Sequence, residues 1–416
     1  MFRFVMLSRR LTLLLAIMGP GVVTATAGND PGAIATDTSV GASYGYEMLW
    51  MMGIAAFSLP IVQEMCARMG AYTGKGLSDL IREQFGVRWT AFAMLVLLIA
   101  NATVTVSEFS GIAAAMELFG VSRYITVPLA ALVVWWIIAK GSYARAEKVF
   151  IFLALFQWAY VLTGLVVKPD WGAVARGVMM PSFRMESAYV LLLIGAVGTT
   201  ITPWMQFYLQ SSVVDKGVTM KSYGSVRMDV RVGALMAAIV QFFIIITAGA
   251  TLHQHGIMVH SPEDAAQALA PLAGPYAYLL FSTGLLGASL LSAVILPLST
   301  AYAVCEGLGL EHGVDRSLQE APAFYTLFAM LIVFGAGVCL IPNANLISIM
   351  LLSQQVNGVL LPIVLTFILV LVNNRRLMRQ HVNTRLQNIL AGGTAIALIV
   401  LTVLLMVASL FPNLMA

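Results

Sequence analysis

The chain has 416 residues, of which 60% are hydrophobic and only 10% charged, with a formal net charge of +4. A soluble globular protein carries about 25% charged residues, so this composition excludes one and describes an integral membrane protein. The 23 Lys and Arg against 19 Asp and Glu bear on loop placement across a bilayer and give no reason to expect a nucleic-acid partner.

At the N-terminus, Arg3, Arg9 and Arg10 precede an apolar run that starts at Leu11. Thr24-Ala25-Thr26-Ala27 then imitates the small-residue cleavage site of a secretory signal. Cleavage there would remove the first half of a span, and the chain downstream reads as a multi-span bundle. The apolar run is interrupted by Gly28-Asn29-Asp30-Pro31-Gly32 and resumes at Ala33-Ile34-Ala35. Pro31 lacks a backbone N–H and its ring clashes with the preceding turn, while glycine tolerates strained dihedrals. In a membrane this is a helix broken in mid-bilayer with a carboxylate at the break. Unwound backbone survives there only against protein or a water-filled cavity, and an acid beside freed carbonyls is by default a cation site.

Hydropathy predicts eleven spans, each of about 20 residues or more. They lie near 11–43 (broken), 46–67, 89–117, 123–140, 148–167, 188–213 (broken), 231–253, 276–305, 322–341, 344–373 and 387–411. With the N-terminus cytoplasmic and the C-terminus outside, 19 of the 23 basic residues fall on the cytoplasmic side. Only Arg123, Lys168, Arg176 and Arg184 do not. A missed span would exchange every later loop and destroy that bias. Leu77 to Glu83 reads as a short amphipathic cytoplasmic helix, and Glu64 as the i+4 partner of Arg68. His253, His255 and His260, with Glu263 and Asp264, sit in an outer loop; their spacing fixes no metal geometry, and a solvated loop is the simpler reading. Cys66, Cys305 and Cys339 stand far apart and read as small core residues.

The pattern of the first break recurs at Gly198-Thr199-Thr200-Ile201-Thr202-Pro203-Trp204. Two interrupted helices at the start of successive five-span blocks point to a transporter built from inverted repeats, with its substrate between the breaks. The expected fold is therefore an all-α 5+5 inverted repeat with an eleventh helix and helices 1 and 6 broken. Residues 1–416 form one domain, with repeats near 11–167 and 188–373 and the added helix near 387–411. Asp30 is the one acid at a break. Asp37 lies seven residues on, about two turns along the same face. Thr199, Thr200 and Thr202 add hydroxyls, unless each bonds back to its own helix. Ser353, Gln354, Gln355 and Asn357 place four polar groups in an apolar span, either as glue between helices or as ligands. Glu108 follows Asn101, Thr103, Thr105 and Ser107 and is a candidate relay.

These residues resemble the Nramp family of divalent-metal transporters. The resemblance runs through Asp30-Pro31-Gly32, Ile34-Ala35-Thr36-Asp37, Gly41-Ala42, Gly45-Tyr46 and Leu49-Trp50. It continues in Gln63-Glu64, Ala67-Arg68-Met69-Gly70, Thr73-Gly74-Lys75 and Ser353-Gln354. It implies a LeuT-like inverted-repeat fold and an ion bound between helices 1 and 6. Two departures matter. Manganese- and iron-transporting members carry Asp-Pro-Gly-Asn where Ala33 replaces the Asn, and Met-Pro-His where Thr202-Pro203-Trp204 stands. The soft thioether that suits transition metals is thereby missing, unless Met205 restores it, and Gln206 becomes a candidate lining residue.

The implied metal site is Asp30, Ala33, Thr200, Thr202, Gln206 and Gln354, with Asp37, Glu108 and Asn357 along an ion pathway. Its donors are hard oxygens, which suits a partly hydrated Mg²⁺ held by one carboxylate. The sequence is most similar to the Nramp-related magnesium transporters, which move Mg²⁺ and also Mn²⁺. Thr105 takes the place of one member of the family's span-3 acidic pair and the span-6 His is gone, so uptake is expected to be uncoupled from protons. Mg²⁺ or Mn²⁺ is expected as substrate, with no cofactor. The partners are those ions and the lipid bilayer, with no nucleic acid and no obligatory protein partner, and the location is the inner membrane. Alternatives are a proton-coupled Mn²⁺/Fe²⁺ transporter, an organic-substrate transporter binding an amine at Asp30, and a trivalent-metal transporter. An enzyme is disfavoured, because no His-Glu-x-x-His motif appears.

Overall fold

The computed structural model describes residues 19–140, 152, 155–314 and 316–410, and no strand occurs among them. The first span is two half-helices, α1 (Pro20–Gly28) and α2 (Pro31–Tyr44). Next come α3 (Leu49–Thr73), the short α4 (Leu77–Phe85), α5 (Val87–Leu118), α6 (Arg123–Ala139) and α7 (Ala159–Val166). After α8 (Trp171–Met179), the sixth span is again two halves, α9 (Ser187–Thr200) and α10 (Pro203–Asp215). The remaining spans are α11 (Tyr223–Thr251), α12 (Ala277–Leu308), α13 (Pro322–Cys339), α14 (Leu346–Asn373) and α15 (Arg385–Leu410). Among the described residues, eight segments, the broken sixth span included, are long and apolar enough to cross a membrane, and two shorter apolar helices cover Arg123–Ala139 and Leu155–Val166. Together with the broken first span they account for the eleven expected. The expected start of the first span, the signal-like arginines, Arg145 and Lys148 lie outside the described residues.

Burial follows the logic of a bilayer solvent. Large apolar side chains such as Phe57, Trp136, Val333, Phe334 and Ile396 are exposed on the outer faces. Asp30, Asp37, Glu108, Gln206, Gln354 and Asn357 are wholly buried inside. Small residues allow the helices to approach: a Cβ on Gly198 of α9 would lie 2.4 Å from the Gly358 nitrogen of α14. Pro31 seats on Gly111 of α5, where a Cβ would come within 2.4 Å of the proline ring.

The ends of the bundle are tied by polar contacts. Glu64 pairs with Arg68 as expected, at 3.6 Å, and also accepts from the Tyr223 hydroxyl and from Gln387 Nε2. Helix α3 thus runs six residues beyond its expected end, because Arg68 is satisfied inside the protein by Glu64, Asn383 and the Val382 carbonyl. Gly74 ends it in the left-handed conformation at φ 66°. At the opposite end Arg184 bonds Glu47 at 2.6 Å and lies over the Tyr44 ring. The histidines expected in an outer loop are spent locally. His253 and His255 bond the Ala42 and Thr251 carbonyls, and Asp264 closes a capping box with Ser261. The three cysteines are buried and free.

Candidate functional site between two broken helices

Both breaks share one local design. The chain leaves helical geometry at Asn29 and at Ile201. The next residue, Asp30 or Thr202, is an extended N-cap, and Pro31 or Pro203 occupies the first position of the second half-helix. Proline suits that position because its missing N–H would have had no intrahelical partner. Asp30 uses its cap fully, since the Ala33 N–H donates to Oδ1 at 2.7 Å. Thr202 makes no side-chain cap bond.

The N-terminal end of α1 is held by Asp229 of α11, whose carboxylate accepts from the amides of Gly19, Gly21 and Val22 at 3.0, 2.6 and 3.4 Å. At the inner end, Ser292 donates to the Ala27 carbonyl at 2.9 Å and Gln157 to the Asn29 carbonyl at 2.7 Å. Two of the carbonyls freed by the break therefore already have protein donors. The second break faces the first through Met205, whose terminal methyl packs where a Gly28 Cβ would stand, 1.8 Å from that position. Gln63 approaches the Met205 sulfur from the far side at 3.8 Å.

Helix α14 closes the third side. Gln354 Nε2 donates to Asp30 Oδ1 at 3.2 Å and Oδ2 at 3.4 Å, and Asn357 Nδ2 donates to Gln354 Oε1 at 3.2 Å. The approach is permitted by Gly32, where a Cβ would meet Gln354 Nε2 at 2.0 Å and Ser107 Oγ at 2.8 Å. The four polar residues of α14 thus divide. Gln354 and Asn357 face Asp30, Ser353 bonds back to the Met350 carbonyl, and Gln355 packs on Gly195 of α9. In α5, Asn101 bonds Thr300 of α12, while Thr103 and Thr105 bond back to their own helix. Ser107 and Glu108 remain with no side-chain partner among the described residues.

Of the other candidates, Ala33 contributes its amide to Asp30 and no ligating side chain. Thr200 bonds the Ala196 carbonyl and Gln241 Oε1, which is the back-bonding alternative for that hydroxyl. Gln206 Nε2 reaches only the Thr202 carbonyl, at 3.4 Å. Its Oε1, the hydroxyls of Thr199 and Thr202, Asn29 Oδ1, Asn357 Oδ1 and both oxygens of Asp37 and Glu108 are buried without a hydrogen-bond partner among the described residues. Asp37 lies toward Thr38 and Tyr160, and both Asp37 and Glu108 are within electrostatic reach of Asp30. No group of three or more His, Cys, Asp or Glu gathers at one point among the described residues. The site consists of one carboxylate at a break, surrounded mostly by neutral oxygens.

The Nramp sequence profile, described as "Natural resistance-associated macrophage protein-like", matches residues 21–408. The chain belongs to the Nramp family. A relative from Yersinia pestis named "Divalent metal cation transporter MntH" is 30% identical over 399 residues, 93% of each chain. One of the same name from Erwinia tasmaniensis is 31% identical over 351 residues, 79% of this chain and 84% of its own. Among solved structures, a manganese transporter of Eremococcus coleocola matches with a TM-score of 0.75 at 20% identity, over 96% of this chain and 87% of that one. MhsT, crystallised with L-phenylalanine, matches with a TM-score of 0.58 at 14% identity, over 93% of this chain and 97% of its own. The all-helical fold expected from two broken helices is the fold this Nramp chain shares with them.

The motifs led to Asp30, Gln354 and Asn357 but not to all of their neighbours. Gln157 and Gln241 were legible as lone amides in apolar spans, which must find a partner there. Ser292 left no signal, since one serine in a span usually bonds its own helix.

Proposed function

We propose that this chain carries divalent metal ions across the bacterial inner membrane, with Mg²⁺ as the main cargo and Mn²⁺ as a second. The observation that carries the reading is Asp30. It is a fully buried carboxylate at a helix break, compensated by one backbone amide and one neutral side chain. A buried charge so thinly paired calls for a cation. The neighbouring Ser107, Thr202, Gln206 and Asn29 oxygens are hard and uncommitted, which suits an ion that keeps part of its water and needs one carboxylate. The names of the Yersinia and Eremococcus proteins, a divalent metal cation transporter and a manganese transporter, support the divalent part of the reading. They also favour a transporter over an enzyme.

In this reading Asp30, Gln354, Gln206, Thr202 and Thr200 line the cargo position beside Ala33, and Asp37, Glu108 and Asn357 mark its route. The two five-span repeats move against each other around it. The N-terminus is cytoplasmic, and the membrane potential drives entry without protons. Met205 favours a second reading, proton-coupled Mn²⁺/Fe²⁺ transport, because its thioether packs against the first break. Uptake by proteoliposomes tests the core of the proposal. Asp30→Ala is expected to abolish Mg²⁺ and Mn²⁺ influx in a protein that still elutes as a folded species; influx at the parent rate would overturn the site.

A further inference from the structure

We propose that Asn357 is a positioning residue that lets the Gln354 amide exchange its donor end for its acceptor end when a cation sits on Asp30. The proposal rests on the reading of Asp30 as the cation site. In the structure Gln354 turns its NH₂ toward both oxygens of Asp30, and its carbonyl oxygen accepts from Asn357 Nδ2. All three side chains are fully buried, so none can use solvent instead.

A cation on Asp30 and an N–H pointed at the same carboxylate exclude each other. Gln354 must turn, which presents Oε1 to the cation and swings Nε2 to the place Oε1 held. There it would meet the Asn357 NH₂, donor against donor. The Asn357 amide must therefore turn as well and offer Oδ1. That atom is buried and has no partner among the described residues, so turning it breaks no bond of its own. The amide at 357 supplies a donor in one arrangement and an acceptor in the other. Both arrangements keep one hydrogen bond between the two amides, and the Gln354–Asp30 bonds give way to contacts with the cation. The turned one is the stronger, because a cation on Oε1 polarises the amide and makes Nε2 a better donor. While the cation sits on Asp30, Asn357 acts on it through Gln354.

The experiment is a double-mutant cycle on the purified full-length protein, titrated calorimetrically with MgCl₂ and with MnCl₂. Asn357→Leu is expected to weaken binding of both ions about fivefold, the difference between a charge-assisted and a neutral hydrogen bond. In a Gln354→Leu background the same change is expected to alter affinity no further. Asn357→Leu with parental affinity, or with an equal loss in both backgrounds, would overturn the proposal. Asp30→Asn serves as the control in the same titration. If it binds as the parent does, the cation site itself is misplaced. If it loses binding while Asn357→Leu keeps it, the role given to Asn357 is wrong and the site stands.

Discussion

In the proposed function, Asp30 decides that a cation is held, and its neighbours decide which. Three positions around it set the softness of the shell. Ala33 gives only an amide, Thr202 gives a hydroxyl not used as a cap, and Met205 gives a thioether packed on Gly28. Softness favours transition metals over Mg²⁺. Ala33→Asn combined with Thr202→Met is therefore expected to raise the Mn²⁺ to Mg²⁺ uptake ratio about tenfold, the equivalent of ~1.4 kcal/mol. An unchanged ratio in competition uptake would remove the softness argument. Met205→Leu keeps side-chain volume within tolerable limits and separates the two functional readings. If the thioether binds metal, Mn²⁺ uptake falls while Mg²⁺ uptake stays; if Met205 only fills the space at Gly28, the ratio is unaffected, which is the outcome expected of a hard site.

The element that makes the site is the half-helix α1, and its stability is borrowed. Nine residues are too few for an independent helix, and its N-terminal amides are satisfied by a side chain some 210 positions away, Asp229. Asp229→Ala is expected to destabilise the protein by about 2 kcal/mol, since hydrogen bonds to a charged group are lost and buried amides are left unpaired. The reading is a lower midpoint in thermal unfolding of the detergent-solubilised protein; an unchanged midpoint would show α1 to be held by packing alone. Gly198→Ala, by contrast, tests the crossing of α9 and α14. Its Cβ would meet backbone at 2.4 Å, so overpacking of roughly 1–3 kcal/mol is expected and would appear in the same scan.

This is also the scale at which sequence and structure part company. Both breaks were legible because proline and its neighbours act through local sterics, and Asp30-Pro31 and Thr202-Pro203 fall where the pattern put them. The short helix α4 and the Glu64–Arg68 pair were legible for the same reason, being contacts within one or two turns. Asp229 at the start of α1, Gln157 on the Asn29 carbonyl and Met205 on Gly28 were not. Each joins residues more than a hundred positions apart, and hydropathy carries no information about which helix face meets which. The division of the α14 cluster into Gln354 and Asn357 on one side and Ser353 on the other depended on the same missing knowledge.

Across the whole molecule, the proposed cargo position is sealed from both surfaces. Asp30, Asp37 and Gln206 are fully buried. One end is closed by Arg184, Glu47, Tyr44 and Tyr189, and the other by Glu64, Arg68, Tyr223, Asn383 and Gln387. Transport then requires each closure to open in turn around a fixed Asp30. Energy need not come from protons. A divalent cation entering down an inside-negative potential of 100 mV gains about 4.6 kcal/mol, at about 2.3 kcal/mol per charge, enough to concentrate it more than a thousandfold.

Parallel influx of Mg²⁺, Mn²⁺ and Ca²⁺ into proteoliposomes, with an imposed inside-negative potential and a pH dye in the lumen, tests the central claim most directly. Mg²⁺ entry that grows with the potential while the lumen stays at constant pH is the predicted result, with Mn²⁺ entering and Ca²⁺ lagging behind. Mn²⁺ entry accompanied by matching acidification, with no Mg²⁺ entry, would contradict it.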